Sequence, residues 1–327
     1  MDHQEISDPG QLPADPKVSV IVITYGHEQT LAQAIDSIAA QRTSFPFEIV
    51  IAEDCSPDGT RAVALDLQRK YPQLVRVAFS ERNRGMIPNL HFAIRLARAP
   101  FIANCEGDDY WIDPDKLERQ IAMLEANPGV DMAFTRGVRA YSDGRQEAEP
   151  AWDYGPEPRI VSARELFSGF AWVLPVASFV WRSEVTRQLP DWFDAAPFTD
   201  LVLIMAASVR GGAAYDPAET VAYRIAHEAS FTVRLRDADS GARAHFLQRA
   251  IDLLERACRH YGFPRRHLAH RLADYRLALV KELVALRGYG EASRQMLRVP
   301  PSFLLGGAAR RLRRLGRAPA QPVSSSV

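Results

Sequence analysis

The segment 104–111, which reads NCEGDDYW, holds the densest group of side chains able to do chemistry. Its carboxylates Glu106, Asp108 and Asp109 follow an apolar run, so they crowd the end of a predicted buried strand. Like charges this close repel each other, and protonation or a bound cation relieves the cost. Oxygen ligands suit a hard divalent ion, so the segment predicts a site for Mg²⁺ or Mn²⁺. An acidic turn that only caps the following helix is the alternative.

Two more acids lie where a function is expected. Asp54 stands at the tip of a second apolar run, FEIVIAE, where burial of a lone carboxylate is unfavourable unless a partner donates hydrogen bonds. The edge of a nucleotide base or a ribose would supply such donors. Asp200 precedes an apolar helical stretch, and a helix cap made by Thr199 or Asp200 is the alternative to a chemical role.

The elements that must position these groups are buried strands that alternate with helices. The predicted strands are 18–24, 47–53, 74–80 and 101–106, and the predicted helices are 31–41, 62–70 and 89–97. Further strands are predicted at 130–134 and 220–225. This alternation is typical of an α/β fold with a mostly parallel sheet flanked by helices. Functional groups of such sheets gather after the carboxyl ends of the strands. The polar residues found there are Glu28, Asp54, Asn83, Asp108 and Asp109.

Composition and the spacing of apolar residues divide the chain into four regions. Residues 1–16 are polar and acidic, which predicts a flexible N-terminal tail, and residues 17–235 form the α/β domain. Residues 236–299 keep apolar side chains at helical spacing and predict an antiparallel helical appendage. Residues 300–327 interleave Arg with Leu and contain no acid, which predicts a disordered basic tail. Such a tail could lie on an anionic bilayer, and a solvated Arg-rich end is the alternative.

Composition argues against several classes of protein. The chain of 327 residues has 40 Lys+Arg against 40 Asp+Glu, so no net charge draws it onto nucleic acid. Its 3 cysteines without CxxC spacing argue against a structural zinc site and a disulfide framework. The N-terminus lacks the apolar stretch of a signal peptide, and every apolar run is shorter than the ~18–20 residues of a membrane span. We therefore expect a cytoplasmic protein, peripheral at most to the inner face of the membrane.

Three segments, in their order and spacing, resemble glycosyltransferase family 2. They are VSVIVITYGHEQTLAQAIDSIAAQ, FEIVIAEDCSPDGT and RNRGMIPNLHFAIRLARAPFIANCEGDDYWIDPDKLERQ, and the likeness covers residues 17–230. The resemblance implies a catalytic domain of the GT-A fold that transfers a sugar from a nucleoside diphosphate donor with inversion. It also implies a UDP-sugar as donor, a hydroxyl acceptor on a glycan or lipid, and a role in bacterial surface polysaccharide or glycolipid synthesis.

The resemblance further implies roles for single residues. Those implied at the nucleotide or the donor sugar are Thr24, Tyr25, Glu28, Asp54, Asn83, Asp108 and Arg224. Asp109 is implied as the ligand of Mg²⁺ or Mn²⁺, and Asp200 as the general base. His227 is implied as a further metal ligand or a donor to phosphate. The sequence departs from the family at Gly26, where Asn is usual, and at Glu106, where Asp is usual, which weakens Glu106 as a direct ligand.

Other functions fit the motifs less well. The loop after the second strand lacks the DxDGT of haloacid-dehalogenase phosphatases, because Ser56 replaces the first Asp. The first strand is followed by TYGHEQ rather than the GxGxxG of a dinucleotide oxidoreductase. A nucleotidyltransferase with a similar sheet would need a Gly-rich, basic loop there. A sugar-nucleotide-binding or scaffold protein with degenerate catalysis stays open, although Asp109 and Asp200 argue against it.

Overall fold

A computed structural model describes residues 3–168, 174–187, 189–225, 235, 237–301 and 303 of the chain. The strands of this part are β1 (His3–Ile6), β2 (Val18–Thr24), β3 (Phe47–Glu53), β4 (Val75–Ser80), β5 (Phe101–Glu106), β6 (Tyr110–Trp111), β7 (Met132–Ala140), β8 (Gln146–Ala148), β9 (Arg159–Val161), β10 (Val180–Arg182) and β11 (Ala213–Arg224). The helices are α1 (Leu31–Ala39), α2 (Thr60–Lys70), α3 (Met86–Leu96), α4 (Lys116–Ala126), α5 (Ala163–Ser168), α6 (Glu184–Arg187), α7 (Asp200–Ser208), α8 (Ser240–His260), α9 (Ala269–Ala285) and α10 (Tyr289–Leu297).

The strands form one mixed sheet in the order β1-β4-β3-β2-β5-β10-β7-β11-β6, with β8 paired to β7 and β9 paired to β11. Strands β4, β3, β2 and β5 are parallel neighbours, and β7 is parallel to β11. Strand β10 runs antiparallel between β5 and β7 and joins the two parallel groups. The predicted α/β class, a mostly parallel sheet flanked by helices with further helices at the C-terminus, is confirmed.

Strand β2 shows why the sequence forms a central strand here. Val18, Val20 and Val22 belong to the core on the face of the sheet that α1 covers. Ile21 and Ile23 belong to the core on the opposite face, where α3 packs. Because both faces are buried, the strand needs no alternation of polar and apolar residues. Its carboxyl end, where burial stops, opens at the candidate site.

The pairing of β6 with β11 brings distant parts of the chain together. Residues Tyr110–Trp111 lie antiparallel to Val221–Ala222, so the segment after β5 meets the end of β11. Strand β11 begins at residue 213, well before the predicted start at 220. Its register shifts between Asp216 and Val221, and this irregularity interrupts the apolar pattern that would reveal the longer strand.

The N-terminal segment differs from the flexible tail predicted over residues 1–16. Residues 3–6 form the edge strand β1, antiparallel to β4. Arg76 on β4 explains the attachment, because its guanidinium lies 2.9 Å from the carboxylate of Glu5 and 3.2 Å from that of Glu48. Glu48 is fully buried and requires cationic partners. The other predicted domain boundaries stay predictions.

The C-terminal helices share the main core with the sheet. Ile251 and Leu254 of α8 and Leu272 and Leu279 of α9 are buried in the same cluster as Phe134 of β7. The helical character predicted for 236–299 is therefore present, and these helices pack directly on the α/β layer. Among the described residues no helix is long and apolar enough to cross a membrane.

Candidate active site

The three carboxylates after β5 lie in different environments. Asp109 is 1% exposed, and its Oδ1 accepts the backbone N–H of Arg224 at 3.0 Å. Its Oδ2 is buried and has no hydrogen-bond partner among the described residues. Asp108 is partly exposed, with its Oδ2 3.9 Å from Nε2 of His27, and Glu106 is partly buried. The loop thus keeps one buried carboxylate oxygen without a donor, which is unfavourable unless a ligand or proton satisfies it.

The pKa shifts of the cluster also indicate that its carboxylates need a proton or a cation. Burial raises the pKa of Asp109 well above its usual value, and the charges of Asp108 and Glu106 add to the effect. Burial also raises the pKa of Glu106 to about 8, with contributions from Asp108 and Asp200. Without a cation, burial therefore favours the protonated forms of Asp109 and Glu106 over their carboxylates. A positive ion bound among them would reverse this preference.

The predicted metal site needs several oxygen or nitrogen donors close together. Within the described ranges, no group of three His, Cys, Asp or Glu side chains is arranged to hold a metal ion. His227, the predicted further ligand, lies outside the described residues. The partner-free Oδ2 of Asp109 is a hard oxygen donor of the kind that Mg²⁺ and Mn²⁺ prefer. Asp109 fits such an ion, and the remaining ligands stay a prediction.

The loop after β2 contributes a histidine that the sequence alone did not single out. Thr24 Oγ1 lies 3.2 Å from Nδ1 of His27, whose other nitrogen faces Asp108. Gly107 allows this approach, because a Cβ there would lie 2.6 Å from His27 Nδ1 and 2.7 Å from Thr24 Oγ1. His27 thus links the predicted nucleotide residue Thr24 to the acidic cluster. The sequence does place His27 three residues after Thr24, in a loop at the end of a strand, and this position could have identified it as a site residue.

The same loop explains one departure from the family. Gly26 adopts φ +73°, a left-handed conformation that Gly and Asn both tolerate better than other residues, so Gly can replace the usual Asn. Its N–H donates to Ser56 Oγ at 3.1 Å. Tyr25 is 42% exposed. The carboxylate of Glu28 accepts the N–H of Gly59, directly before α2, at 3.0 Å. Tyr25 and Glu28 lie at the predicted edge, and their contact with a nucleotide stays a prediction.

Asp54 has partners within the chain itself. Its side chain is 2% exposed, and its two carboxylate oxygens accept the N–H groups of Arg84 and Gly85 at 2.8 and 2.9 Å. Burial raises the pKa of Asp54, and these hydrogen bonds oppose the rise. Asn83 Oδ1 also accepts the N–H of Gly85, at 2.8 Å, which closes a local turn. The donors that we expected from a ligand are therefore supplied by the loop after β4, and the predicted contacts of Asp54 and Asn83 with the donor stay predictions.

Asp200 is the first residue of α7, and it lies near the acidic cluster although it is far away in sequence. Its Oδ1 accepts the N–H of Leu201 at 2.7 Å, whereas Thr199 makes no side-chain cap. Burial raises the pKa of Asp200, and the positive charge of Arg271 on α9 opposes the rise. Arg271 is 7% exposed and lines a small cavity together with Leu201. No local signal in the sequence connects Arg271 with the site, because α9 lies far beyond α7.

Arg224 closes the site from the end of β11. Besides the backbone bond to Asp109, its guanidinium donates to Gln33 Oε1 of α1 and lies 4.9 Å over the ring of Tyr110. The positive charge of Arg224 lowers the pKa of Asp109 relative to what burial alone would give. The structure thus brings together Thr24, Asp108, Asp109 and Arg224, which the sequence predicted at one site.

Residues 19–173 match the family model described as glycosyl transferase family 2. This segment belongs to glycosyltransferase family 2. The match covers β2 to β9 and the helices between them, including the β2 loop, Asp54 and the acidic cluster. Within this segment the match confirms the resemblance drawn from the motifs. Asp200 and Arg224 lie beyond the matched segment.

Individual relatives agree with this assignment. An uncharacterized protein of Mycobacterium tuberculosis is 38% identical over 132 residues, which are 40% of this chain and only 38% of that protein. The succinoglycan biosynthesis protein ExoO of Rhizobium meliloti is 29% identical over 341 residues and matches 98% of this chain and 93% of its own length. Among solved structures, the mannosyltransferase PcManGT from Pyrobaculum calidifontis, in complex with GDP-Man and Mn²⁺, superposes with a TM-score of 0.56. At 17% identity over 91% of this chain and 81% of that one, this likeness shows the GT-A fold.

Proposed function

We propose that this protein transfers a sugar, with inversion, from a nucleoside diphosphate sugar to a hydroxyl group of a growing polysaccharide or lipid-linked glycan. The observation that carries the proposal is the buried Oδ2 of Asp109, which lacks a partner in a carboxylate cluster at the carboxyl end of β5. A nucleotide with its cation would satisfy this oxygen and relieve the repulsion. Family 2 membership and the full-length likeness to a succinoglycan biosynthesis protein support the same conclusion.

Asp200 is the proposed general base. Its raised pKa suits proton transfer at neutral pH better than that of an ordinary exposed carboxylate. In the proposed reaction, Asp200 takes the proton of the acceptor hydroxyl while that oxygen attacks the anomeric carbon. The bond from this carbon to the diphosphate oxygen breaks, and the nucleoside diphosphate leaves with the electron pair. Because the attack comes from the opposite face, the configuration inverts without a covalent enzyme intermediate.

The remaining residues would hold the donor. Asp109, with His227 as the predicted further ligand, would hold Mg²⁺ or Mn²⁺, which when bound neutralises charge on the diphosphate. Arg224 would place a second positive charge beside that group. Thr24 and Asp108, joined through His27, would position the nucleotide and donor sugar. A UDP-sugar is the proposed donor, and the GDP-Man bound to the mannosyltransferase of the same fold makes GDP-sugars the first alternative.

The test is a thermal-shift screen of UDP, GDP, ADP and CDP, each with and without Mn²⁺, followed by donor turnover. We expect one nucleotide to stabilise the protein strongly only when Mn²⁺ is present, and the matching sugar donor to release nucleoside diphosphate. Asp109→Asn should lose the Mn²⁺-dependent part of the shift. Tight nucleotide binding without any donor hydrolysis or transfer would instead favour a sugar-nucleotide-binding protein.

A further inference from the structure

The hairpin of α9 and α10 exposes large apolar side chains that the described chain leaves uncovered. The exposed fractions are 46% for Val284, 50% for Leu286, 60% for Tyr289, 36% for Met296 and 86% for Leu297. We call these five residues the hairpin surface. The other exposed large apolar residues of the described chain lie on separate elements, as Ile6, Tyr25, Met86, Ile112, Ile160 and Val209 do. Scattered apolar residues are ordinary, whereas a group on one hairpin indicates a binding surface.

Helix α10 divides into an inner and an outer face. Ala292 and Gln295 are buried, with exposed fractions of 5% and 1%, and form the inner face. Since a helix advances about 100° per residue, Leu297 lies on the opposite side, with Arg294 and Arg298 next to it. All three outer residues are exposed. The outer face is therefore apolar along one side and basic along the other.

The fully exposed charged side chains between residues 281 and 298 are all positive. Lys281, Arg287, Arg294 and Arg298 are exposed, although the whole chain has no net charge. The hairpin contains only two acids between residues 281 and 298. Glu282 is buried and pairs with Arg243 at 3.0 Å, and Glu291 pairs with Arg294 at 2.8 Å.

The sequence that follows the hairpin adds charge of the same sign. Residues 300–327 contain no acid, and their arginines are Arg310, Arg311, Arg313, Arg314 and Arg317. This segment follows α10 closely, because the C-cap of that helix is Arg298 and the segment starts at residue 300. A partner of the hairpin surface must therefore present an apolar layer and dense negative charge together.

We propose that the hairpin surface docks on an anionic lipid bilayer. Apolar side chains enter the boundary between headgroups and acyl chains, while neighbouring cations meet the anionic headgroups. Each basic residue near such a surface strengthens binding about fivefold, the equivalent of about 1 kcal/mol. The polyanion of a nucleic acid would use the arginines but would leave Leu286 and Leu297 in water. This inference stands independently of the proposed glycosyl transfer.

The experiment is co-sedimentation of the full-length protein with vesicles of phosphatidylcholine, with and without about 30% phosphatidylserine, at low ionic strength. We expect binding only to the anionic vesicles. The double variant Leu286→Ser/Leu297→Ser should bind about tenfold more weakly, because two apolar side chains no longer enter the interface. The double variant Arg294→Gln/Arg298→Gln should weaken binding on the order of 20-fold, and about 0.5 M NaCl should act in the same direction.

Matched control variants separate this surface from general effects. Ile160 and Val209 are 39% and 38% exposed on other elements, so Ile160→Ser/Val209→Ser should bind like the wild type. Wild-type affinity of the Leu286→Ser/Leu297→Ser variant would overturn the proposal and leave only the tail as a contact. Absence of binding to anionic vesicles at low salt would also overturn it. A dimer that these leucine substitutions dissociate, measured by light scattering, would identify the surface as an interface between two copies instead.

Discussion

Lys116 offers a test of the electrostatics beneath the acidic cluster. It begins α4, is 0% exposed, and places Nζ 2.7 Å from Gln120 Oε1 and 4.2 Å from the ring centroid of Trp111. Both of these contacts are with uncharged groups, an amide oxygen and an aromatic ring. Burial lowers the pKa of Lys116 from 10.5 to about 7, although the charges of Cys105 and Asp113 oppose the shift. We predict that Lys116→Met changes how stability depends on pH.

The sign follows from proton binding in the two states. Between pH 7 and 10.5 the unfolded chain keeps the proton of Lys116 and the folded protein releases it, so the wild type gains stability as pH rises. At about 1.4 kcal/mol per pKa unit, the shift corresponds to a penalty of about 5 kcal/mol at and below pH 7. The cation–π contact with Trp111 favours the charged form by up to about 2 kcal/mol. A net penalty of about 3 kcal/mol remains for methionine to remove.

The assay is urea unfolding of wild type and Lys116→Met at about pH 6.5 and about pH 9.5, where the cooperative transition gives the free energy of unfolding. We expect the stability of the variant relative to wild type to fall by about 2 kcal/mol or more between the two pH values. Loss of the donor to Gln120 costs about 1 kcal/mol at both, so it cancels in this comparison. Lys281→Met, at an exposed lysine, is the control and should leave the pH profile unchanged. Parallel profiles for wild type and Lys116→Met would refute the reasoning.

Three further substitutions address the site. Asp200→Asn should lower turnover by roughly 10²-fold or more with little change in donor affinity, because only the proton acceptor is lost. Asp194→Asn is its control, since that carboxylate bonds to His91, and the reverse pattern of effects would move the base to Asp194. Gly107→Ala should raise the KM for the donor several-fold, because the new Cβ would lie 2.6 Å from a neighbouring ring nitrogen. Gly129→Ala meets nothing within 4 Å and should leave donor KM unchanged; equal effects of both alanines would contradict the crowding argument. Asp109→Asn in EDTA should raise the melting temperature at neutral pH, because burial and the charges of Asp108 and Glu106 disfavour the Asp109 carboxylate. A lower melting temperature of this variant would contradict that reasoning.

Strands buried on both faces were the easiest elements to predict. The predicted bounds of β2, β3 and β5 agree with the structure, because continuous apolar runs end where polar residues begin. Strand β7 continues to Ala140, beyond the predicted end at 134, since Thr135 and Arg136 break the apolar run without breaking the strand. Thr135 remains buried because its hydroxyl shares a hydrogen bond with Thr220 at 2.7 Å. Such a compensated polar residue can be recognised only when its partner strand is known.

The site was predictable in its members but not in their partners. Crowding of the acids after β5 follows from the sequence, whereas the bond from the Arg224 N–H to Asp109 depends on the pairing of β6 with β11. Buried Asp54 does have hydrogen-bond donors, but they are backbone N–H groups of the loop after β4 rather than groups of a ligand. Local sequence contains no information on which distant backbone reaches a buried carboxylate.

The segment matched by the family model does not contain all the residues of the proposed active site. The matched segment ends at residue 173, and it contains the acidic cluster and the loop after β2. The proposed base Asp200 comes from α7, after that segment, and its charge raises the pKa of Glu106 within it. Arg271, from the helices predicted as an appendage, in turn opposes the rise in the pKa of Asp200. A residue of α9 thus affects the pKa of the proposed base, and a residue of α7 affects the pKa of an acid in the cluster. The charges of the C-terminal helices therefore contribute to the electrostatics of the site. The predicted boundary at residue 235 stays a prediction, and Arg271 on its far side influences the pKa of Asp200 on its near side.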